Sequence, residues 1–284
     1  MTKQNENWDL IIKPQNKWYQ LDLASIWHYR DLLMLLVRRD FVSVYKQTIL
    51  GPLWFFIQPI FTSITFTFIF SDIANISTDG NPAILFYMGG ITIWTYFSDC
   101  LTKTSNTFIA NAGVFGKVYF PRLIVPLSVL VSNLIKFGIQ LLIFLFIWIY
   151  YLINSSTLHP HWELIWLLPL LVVMMAGLGL GFGVFISSLT TKYRDLTFLI
   201  GFGVQLLMYA SSVVIPISSM SPKIQFIMLL NPLTSIIESF KYVFLGSGYF
   251  SIFWLTYSFV FMLVLIAIAV VTFNKVEKSF MDTV

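Results

Sequence analysis

The segment LIWLLPLLVVMMAGLGLGFGVFISSL (164–189) contains no charged residue. A helix rises about 1.5 Å per residue, so roughly 20 apolar residues cross the 30 Å hydrocarbon core of a bilayer. This segment is long enough to do so. Gly177, Gly179, Gly181 and Gly183 lie within it. They look like a dinucleotide-binding loop only at a glance, because no strand precedes them. Small residues four apart let helix backbones approach closely in lipid, which makes this a packing face.

Charge-poor runs of the same kind recur on both sides. They cover 53–71, 83–98, 123–153, 196–216 and 252–273, which with 164–189 gives six expected spans. Composition agrees: 57% of residues are hydrophobic and 11% charged, against about 25% charged in a soluble domain. With so few charges the chain cannot wet a globular surface, and its solvent is lipid. The fold class expected is an all-α membrane protein of six transmembrane helices. Its segments are a tail (1–24), an amphipathic interface helix (25–52), the transmembrane domain (53–273) and a second tail (274–284). Residues 1–24 are polar and aromatic, unlike a cleavable signal, so the first membrane helix is expected to stay attached.

Basic residues in short loops set orientation. Lys3, Lys13, Lys17, Arg30, Arg38, Arg39 and Lys46 precede the first span. Lys103, Lys117 and Arg122 follow the second, Lys192 and Arg194 the fourth, and Lys275 and Lys278 the last. The opposite side holds Lys223 and Lys241. Both termini of this multi-pass inner-membrane protein are therefore expected in the cytoplasm.

Ser25 to Gln47 places Ile26, Tyr29, Leu33, Leu36, Val37, Val44 and Tyr45 near one helical stripe, with most charges elsewhere. That suits a helix in the headgroup layer or one resting on a partner protein. Two loops exceed simple turns. Residues 102–122 have room for a short helix and a connector. Residues 217–251 hold two apolar pieces, 224–230 and 233–245, split by Asn231-Pro232. Each is too short to span, as in short re-entrant helices on the external side.

Few residues suggest chemistry. The GVFGK string (113–117) fails as a phosphate loop: Asn111 stands where the first glycine is needed, and Val118 where Ser or Thr is needed. No nucleotide site, cofactor site or metal site is expected in this chain. The single cysteine, Cys100, forms no intramolecular disulfide. His159 and His161 form an incomplete metal set. No basic cluster interleaved with aromatics suggests nucleic acid. Lys136 interrupts the third span; it is either a functional intramembrane charge or a lysine snorkelling to the interface. Asp72, Asp99, Glu163 and Glu238 read as span ends or loops. Without a carboxylate in mid-membrane, proton-coupled transport is disfavoured. Most of the nine tryptophans lie near span ends, as interfacial belts do.

Specific strings add a family. RRDFVSVYKQTILGPLWFFIQP (38–59) resembles the entry segment of ABC-2 type polysaccharide export permeases, the membrane subunits of O-antigen and teichoic-acid exporters. KVYFPRLIVPLS (117–128), KYRDL (192–196) and NPLTSIIESFKYVFLG (231–246) resemble the family's other recurring strings, in order along nearly the whole chain. The resemblance implies a homodimer served by two copies of a separate ATPase, which would hold the ATP and Mg. The cargo it implies is an undecaprenyl-diphosphate-linked glycan threaded between the two permease copies. It further implies that the 102–122 loop couples to the ATPase, with Asn111, Phe115 and Lys117 as coupling candidates. Arg38, Arg39 and Lys46 are head-group candidates or, equally simply, positive-inside anchors. Trp54, Phe55, Tyr87, Trp94 and Tyr209 are channel-lining candidates. Two alternatives are an ABC-2 exporter of drugs or lipids and a membrane-embedded lipid or sugar transferase. The transferase would need converging acids, histidines or metal ligands that the sequence only scatters.

Overall fold

The computed structural model describes residues 23–46, 49–115, 120–190, 193 and 195–283. The first 22 residues, Lys117, Lys192 and Arg194 lie outside the described residues. Every regular element among the described residues is helical. In order these are α1 (Leu23–His28), α2 (Arg30–Tyr45), α3 (Trp54–Phe66), α4 (Ala83–Ser105), α5 (Thr107–Phe115), α6 (Ile124–Asn154), α7 (Leu168–Thr190), α8 (Leu196–Tyr209), α9 (Pro222–Leu230), α10 (Pro232–Leu245) and α11 (Ile252–Thr283). Four stretches are long and apolar enough to cross a membrane: Trp54–Ile73, Ile124–Asn154, Trp162–Thr190 and Ile252–Val276. The first joins α3 to a π-helical segment, Thr67–Ile73. Three of its hydroxyl side chains are satisfied locally. Thr62, Ser63 and Thr67 each donate a hydroxyl to the carbonyl four residues back, at 2.8 Å, which hides them from an apolar solvent.

Two expected spans have different limits. The second run continues as helix α4 to Ser105, so Asp99 and Lys103 lie within the helix rather than past its end. The fifth stops at Tyr209, 14 residues long. Beyond it Ser212 takes a left-handed φ of 58°, a conformation that ends a helix. In the 217–251 region both apolar pieces are helices. Asn231 separates them and caps α10 by accepting the Leu233 N–H at 3.1 Å, with Pro232 in the first helical position where its missing N–H does no harm. Gly246 ends α10 at φ 77°, and a Cβ there would lie 2.0 Å from the His159 carbonyl oxygen.

The centre of the molecule is α7. Its glycines form two faces, each with a four-residue spacing. A Cβ on Gly179 would meet Cys100 Cβ at 2.7 Å and the Phe97 carbonyl at 3.1 Å, and one on Gly183 would meet Thr104 Cβ at 2.6 Å, so this face lies against α4. Gly177 and Gly181 face α11, where added methyls would meet the Met262 sulfur at 2.3 Å and Leu265 Cγ at 2.8 Å. The core around α7 holds Phe86, Tyr87, Phe97, Met174, Met175, Ile236, Phe240 and Phe244, all buried. Helix α6 joins it through Trp148, whose indole N–H donates to the Phe244 carbonyl at 2.7 Å. A second apolar cluster joins Leu36 of α2 to Phe108 and Phe115 of α5, Val125 of α6 and Phe273 of α11. The Leu33–Val37 side of α2 therefore rests on its own chain, while Trp27, Met34 and Leu35 stay exposed.

A buried ion pair organises the α9–α10 end. Glu238 and Lys241, one turn apart on α10, are each 1% exposed, with Lys241 Nζ 3.8 Å from Glu238 Oε1. The carboxylate accepts the Ser212 hydroxyl and, at 3.0 Å, the Tyr249 N–H. The ammonium donates to the Ser212 carbonyl at 2.6 Å and lies 3.7 Å from the centroid of the Phe86 ring. Neither charge is stranded, which is the condition for burying it. These residues are not the loop charges that the sequence suggested. One pair ties together α4, α10, the turn after α8 and the loop before α11.

Two measurements check this packing. Gly183→Val should destabilise the detergent-solubilised protein by about 1–3 kcal/mol through overpacking against Thr104, and Gly177→Ala by less, because the Met262 side chain can swing aside; thermal unfolding reads both. Lys241→Met should destabilise by about 3–5 kcal/mol by leaving Glu238 uncompensated. The double variant Lys241→Met/Glu238→Gln should recover part of that loss.

Candidate functional site

At the opposite end of the bundle from α9 and α10, a cavity of about 870 Å³ opens between α2, the start of α3, α4, α5 and α6. Helix periodicity builds its wall. On α4, Asp99 and Lys103 are one turn apart; on α6, Asn133 and Lys136 are likewise one turn apart. With the two helices side by side these residues meet in register. Lys136 Nζ lies 2.6 Å from Asp99 Oδ2, and Lys103 Nζ donates to Asn133 Oδ1 at 2.8 Å. The Asn133 amide reaches back to the Cys100 sulfur at 3.8 Å. Lys136 thus has a carboxylate partner, with the two side chains 15% and 26% exposed. The sequence reading found Lys136 and missed Asp99, because the charge itself was taken as the end of the span. The signal was the Asp99–Lys103 spacing of four, which continues a helical face.

The remaining walls come from α2, α3 and α5. Arg39 and Asp40 line the cavity as an adjacent pair, with guanidinium nitrogens at 2.9 and 2.8 Å from Asp40 Oδ1. Trp54, Phe55 and Gln58 supply an aromatic and amide edge, and Lys136 Nζ stands 6.0 Å from the Phe55 ring centroid. From α5 come Thr107, Ala110 and Asn111. The Thr107 and Ser132 hydroxyls are buried without a hydrogen-bond partner among the described residues.

The head-group candidates separate in space. Arg39 lines the cavity, whereas Arg38 and Lys46 are exposed and outside its lining. Of the coupling candidates, Asn111 lines the cavity and donates its amide to the Thr107 carbonyl at 3.0 Å. Phe115 is buried, its ring 6.0 Å from Phe108 and 5.7 Å from Phe120. Phe108 in turn stacks on Phe273 of α11 at 4.7 Å. Its N–H also meets the Ser187 hydroxyl of α7 at 3.4 Å, so α5 is fastened to both halves of the core. Among the aromatic candidates, Trp54 and Tyr209 are about half exposed. Tyr87 is closed off among Phe66, Phe70 and Phe86, and Trp94 is buried against Phe97. His161 stacks face to face on Tyr242 at 4.2 Å.

A helical bundle with several membrane-length apolar helices around a charged cavity at one end defines a multi-pass membrane protein with a polar recess. Residues 31–245 match the family described as ABC-2 type transporter. The chain belongs to that family, whose members are membrane permeases. It is similar to the O-antigen export system permease protein RfbA of Klebsiella pneumoniae, at 26% identity over 261 residues, covering 89% of this chain and 94% of that protein. It is also similar to the protein of the same name in Myxococcus xanthus, at 25% identity over 224 residues, 78% of this chain and 83% of the relative.

The Asp99–Lys136 contact can be measured directly. In a double-mutant cycle of Asp99→Asn and Lys136→Met, the coupling should fall within about 0.5–3 kcal/mol, the range for residues in contact. Additive single effects on unfolding would mean that the two charges do not interact.

Proposed function

We propose that this chain is the permease subunit of an ATP-driven exporter that moves a lipid-diphosphate-linked, O-antigen-like polysaccharide outward across the bacterial inner membrane. The observation that carries the reading is similarity to O-antigen export permeases along 89% of the chain. The charged recess beside α5, on a chain with no recognisable nucleotide motif, supports it. In this reading α4 and the short α8 join the four long spans to make six. Both termini lie in the cytoplasm, α1 and α2 lie in the inner headgroup layer, and α9–α10 form the outward re-entrant pair. Two copies of the chain pair with two copies of an ABC ATPase, which binds ATP and Mg. Helix α5 and its connector, including Asn111, Phe115 and Lys117, form the coupling segment.

Charge complementarity drives loading in this scheme. The diphosphate meets the basic cytoplasmic surface, where Arg38, Arg39 and Lys46 add to the attraction. The polymer then passes between the two copies, along the faces bearing Trp54, Phe55 and Tyr209, whose rings suit the C–H faces of sugars. Tyr87 and Trp94, buried within the subunit, are left out of this lining.

A second reading has one observation in its favour. An apolar pocket of about 300 Å³ between α4, α7 and α8, lined by Leu101, Phe182, Ile186 and Leu207 among others, suits a drug or an uncharged lipid. One assay separates the readings: ATPase activity of the chain co-purified with its ATPase in proteoliposomes. Stimulation by an undecaprenyl-diphosphate-linked glycan, and not by apolar drugs, is the expected result. Stimulation by drugs alone would transfer the assignment to the second reading. Turnover of a lipid by the chain without any ATPase would make it a transferase.

A further inference from the structure

The cations that line the α5-side cavity are not equivalent. Arg39 and Lys136 each lie on a carboxylate, at 2.8 and 2.6 Å. Lys103 donates to the neutral Asn133 amide oxygen and has no carboxylate partner among the described residues. Three cations and two carboxylates line the cavity, so Lys103 brings its uncompensated positive charge. Two hydroxyls accompany it. Thr107 is 1% exposed, and its Oγ1, like Ser132 Oγ, lacks any hydrogen-bond partner among the described residues. An unsatisfied buried hydroxyl is costly, and native proteins pair such groups with protein, water or ligand.

An ammonium and two hydroxyls can all act as donors. A group rich in acceptor oxygens and negatively charged satisfies all of them together. Sugar hydroxyls would pair with Thr107 and Ser132 but leave the charge of Lys103 unanswered. A phosphate ester or diphosphate answers both. The cavity volume exceeds what one diphosphate needs and leaves room for whatever is esterified to it.

We propose that this cavity is a binding site for a phosphate-type anion, held by Lys103 together with the Thr107 and Ser132 hydroxyls. The proposal deepens the exporter reading and rests on it for the source of the anion, a diphosphate carried on a lipid. It shifts the principal head-group contact from Arg38 and Lys46, which lie outside the cavity, to a lysine that lines it.

The test uses the full chain with its ATPase in nanodiscs. Binding of undecaprenyl diphosphate and of undecaprenol is compared, with inorganic pyrophosphate as competitor. The wild type should bind the diphosphate lipid about tenfold or more tightly than the alcohol, the factor equivalent to one charge-assisted contact. Lys103→Met should abolish that preference and Lys103→Arg should keep most of it. Thr107→Val and Ser132→Ala, which leave the charge in place, should each weaken it several-fold. Only variants with wild-type thermal midpoints are scored. Competition by pyrophosphate would assign recognition to the anion alone; Lys103-dependent binding without competition would assign it to the lipid-borne head group. Either result upholds the site. Equal affinity for diphosphate and alcohol, or wild-type preference in Lys103→Met together with Thr107→Val, overturns it. If the site fails while a glycan-linked diphosphate lipid still stimulates the ATPase, the exporter reading stands. If that lipid never stimulates the wild-type complex, the exporter reading falls, and Lys103-dependent pyrophosphate binding would still establish the anion site.

Discussion

The architecture depends on how closely α7 approaches its two neighbours. Without a hydrophobic driving force between helices in lipid, association relies on surface fit and dispersion. Gly179 and Gly183 bring α4 against the α7 backbone, and Gly177 and Gly181 bring α11 against it from another side. Any side chain at those positions would hold the helices further apart. The approach fixes the register of α4, and α4 carries Asp99 and Lys103 to the cavity at one end and Phe86 to the buried ion pair at the other. A packing constraint in the middle of the bundle thereby sets the geometry of both polar ends.

Those ends manage charge in different ways. At the α9–α10 end, Glu238 and Lys241 are enclosed by protein, and their partners come from three further segments. Such a pair holds segments in one arrangement, because moving any of them would strand a charge. At the α5 end the charges line an open recess. Asp99–Lys136 and Arg39–Asp40 neutralise themselves, and Lys103 is held only by an amide. The first arrangement suits a fixed joint and the second a surface that accepts and releases a ligand. Helix α5 stands beside the recess and is anchored to α7 through Ser187 and to α11 through Phe273. A force applied at α5 therefore reaches the central helix directly.

The long apolar helices were legible in the sequence because length and the absence of charge suffice to define them. The split of 217–251 into two helices was legible too, since Asn-Pro ends one helix and starts the next by known chemistry. Errors gathered where charge was used as a boundary. Asp99 lies within α4, with a lysine on the neighbouring helix as its partner. Glu238 and Lys241 look like loop charges until the folded neighbours supply their hydrogen bonds. The early end of α8 turns on the left-handed backbone at Ser212, which hydropathy does not encode. Of the residues facing the cavity, Lys136, Arg39, Trp54, Phe55 and Asn111 were singled out from sequence. Thr107, Ser132 and Asn133 were not, because nothing in a one-dimensional pattern marks a hydroxyl or amide whose partner lies on another helix.

The two-faced glycine surface of α7 also bears on how the chain assembles. Helix α4 precedes α7 in the chain, so that face can be covered as soon as α7 enters the bilayer. The other face is covered by α11, which follows α8, α9 and α10. During vectorial synthesis, in which earlier segments fold first, Gly177 and Gly181 therefore stay open to lipid while more than sixty residues are added. The buried ion pair forms in the same interval, because the Tyr249 N–H that completes the Glu238 shell lies just before α11. Neutralisation of the deepest charges and closure of the core are thus late events in biogenesis, and closure alone awaits the last helix.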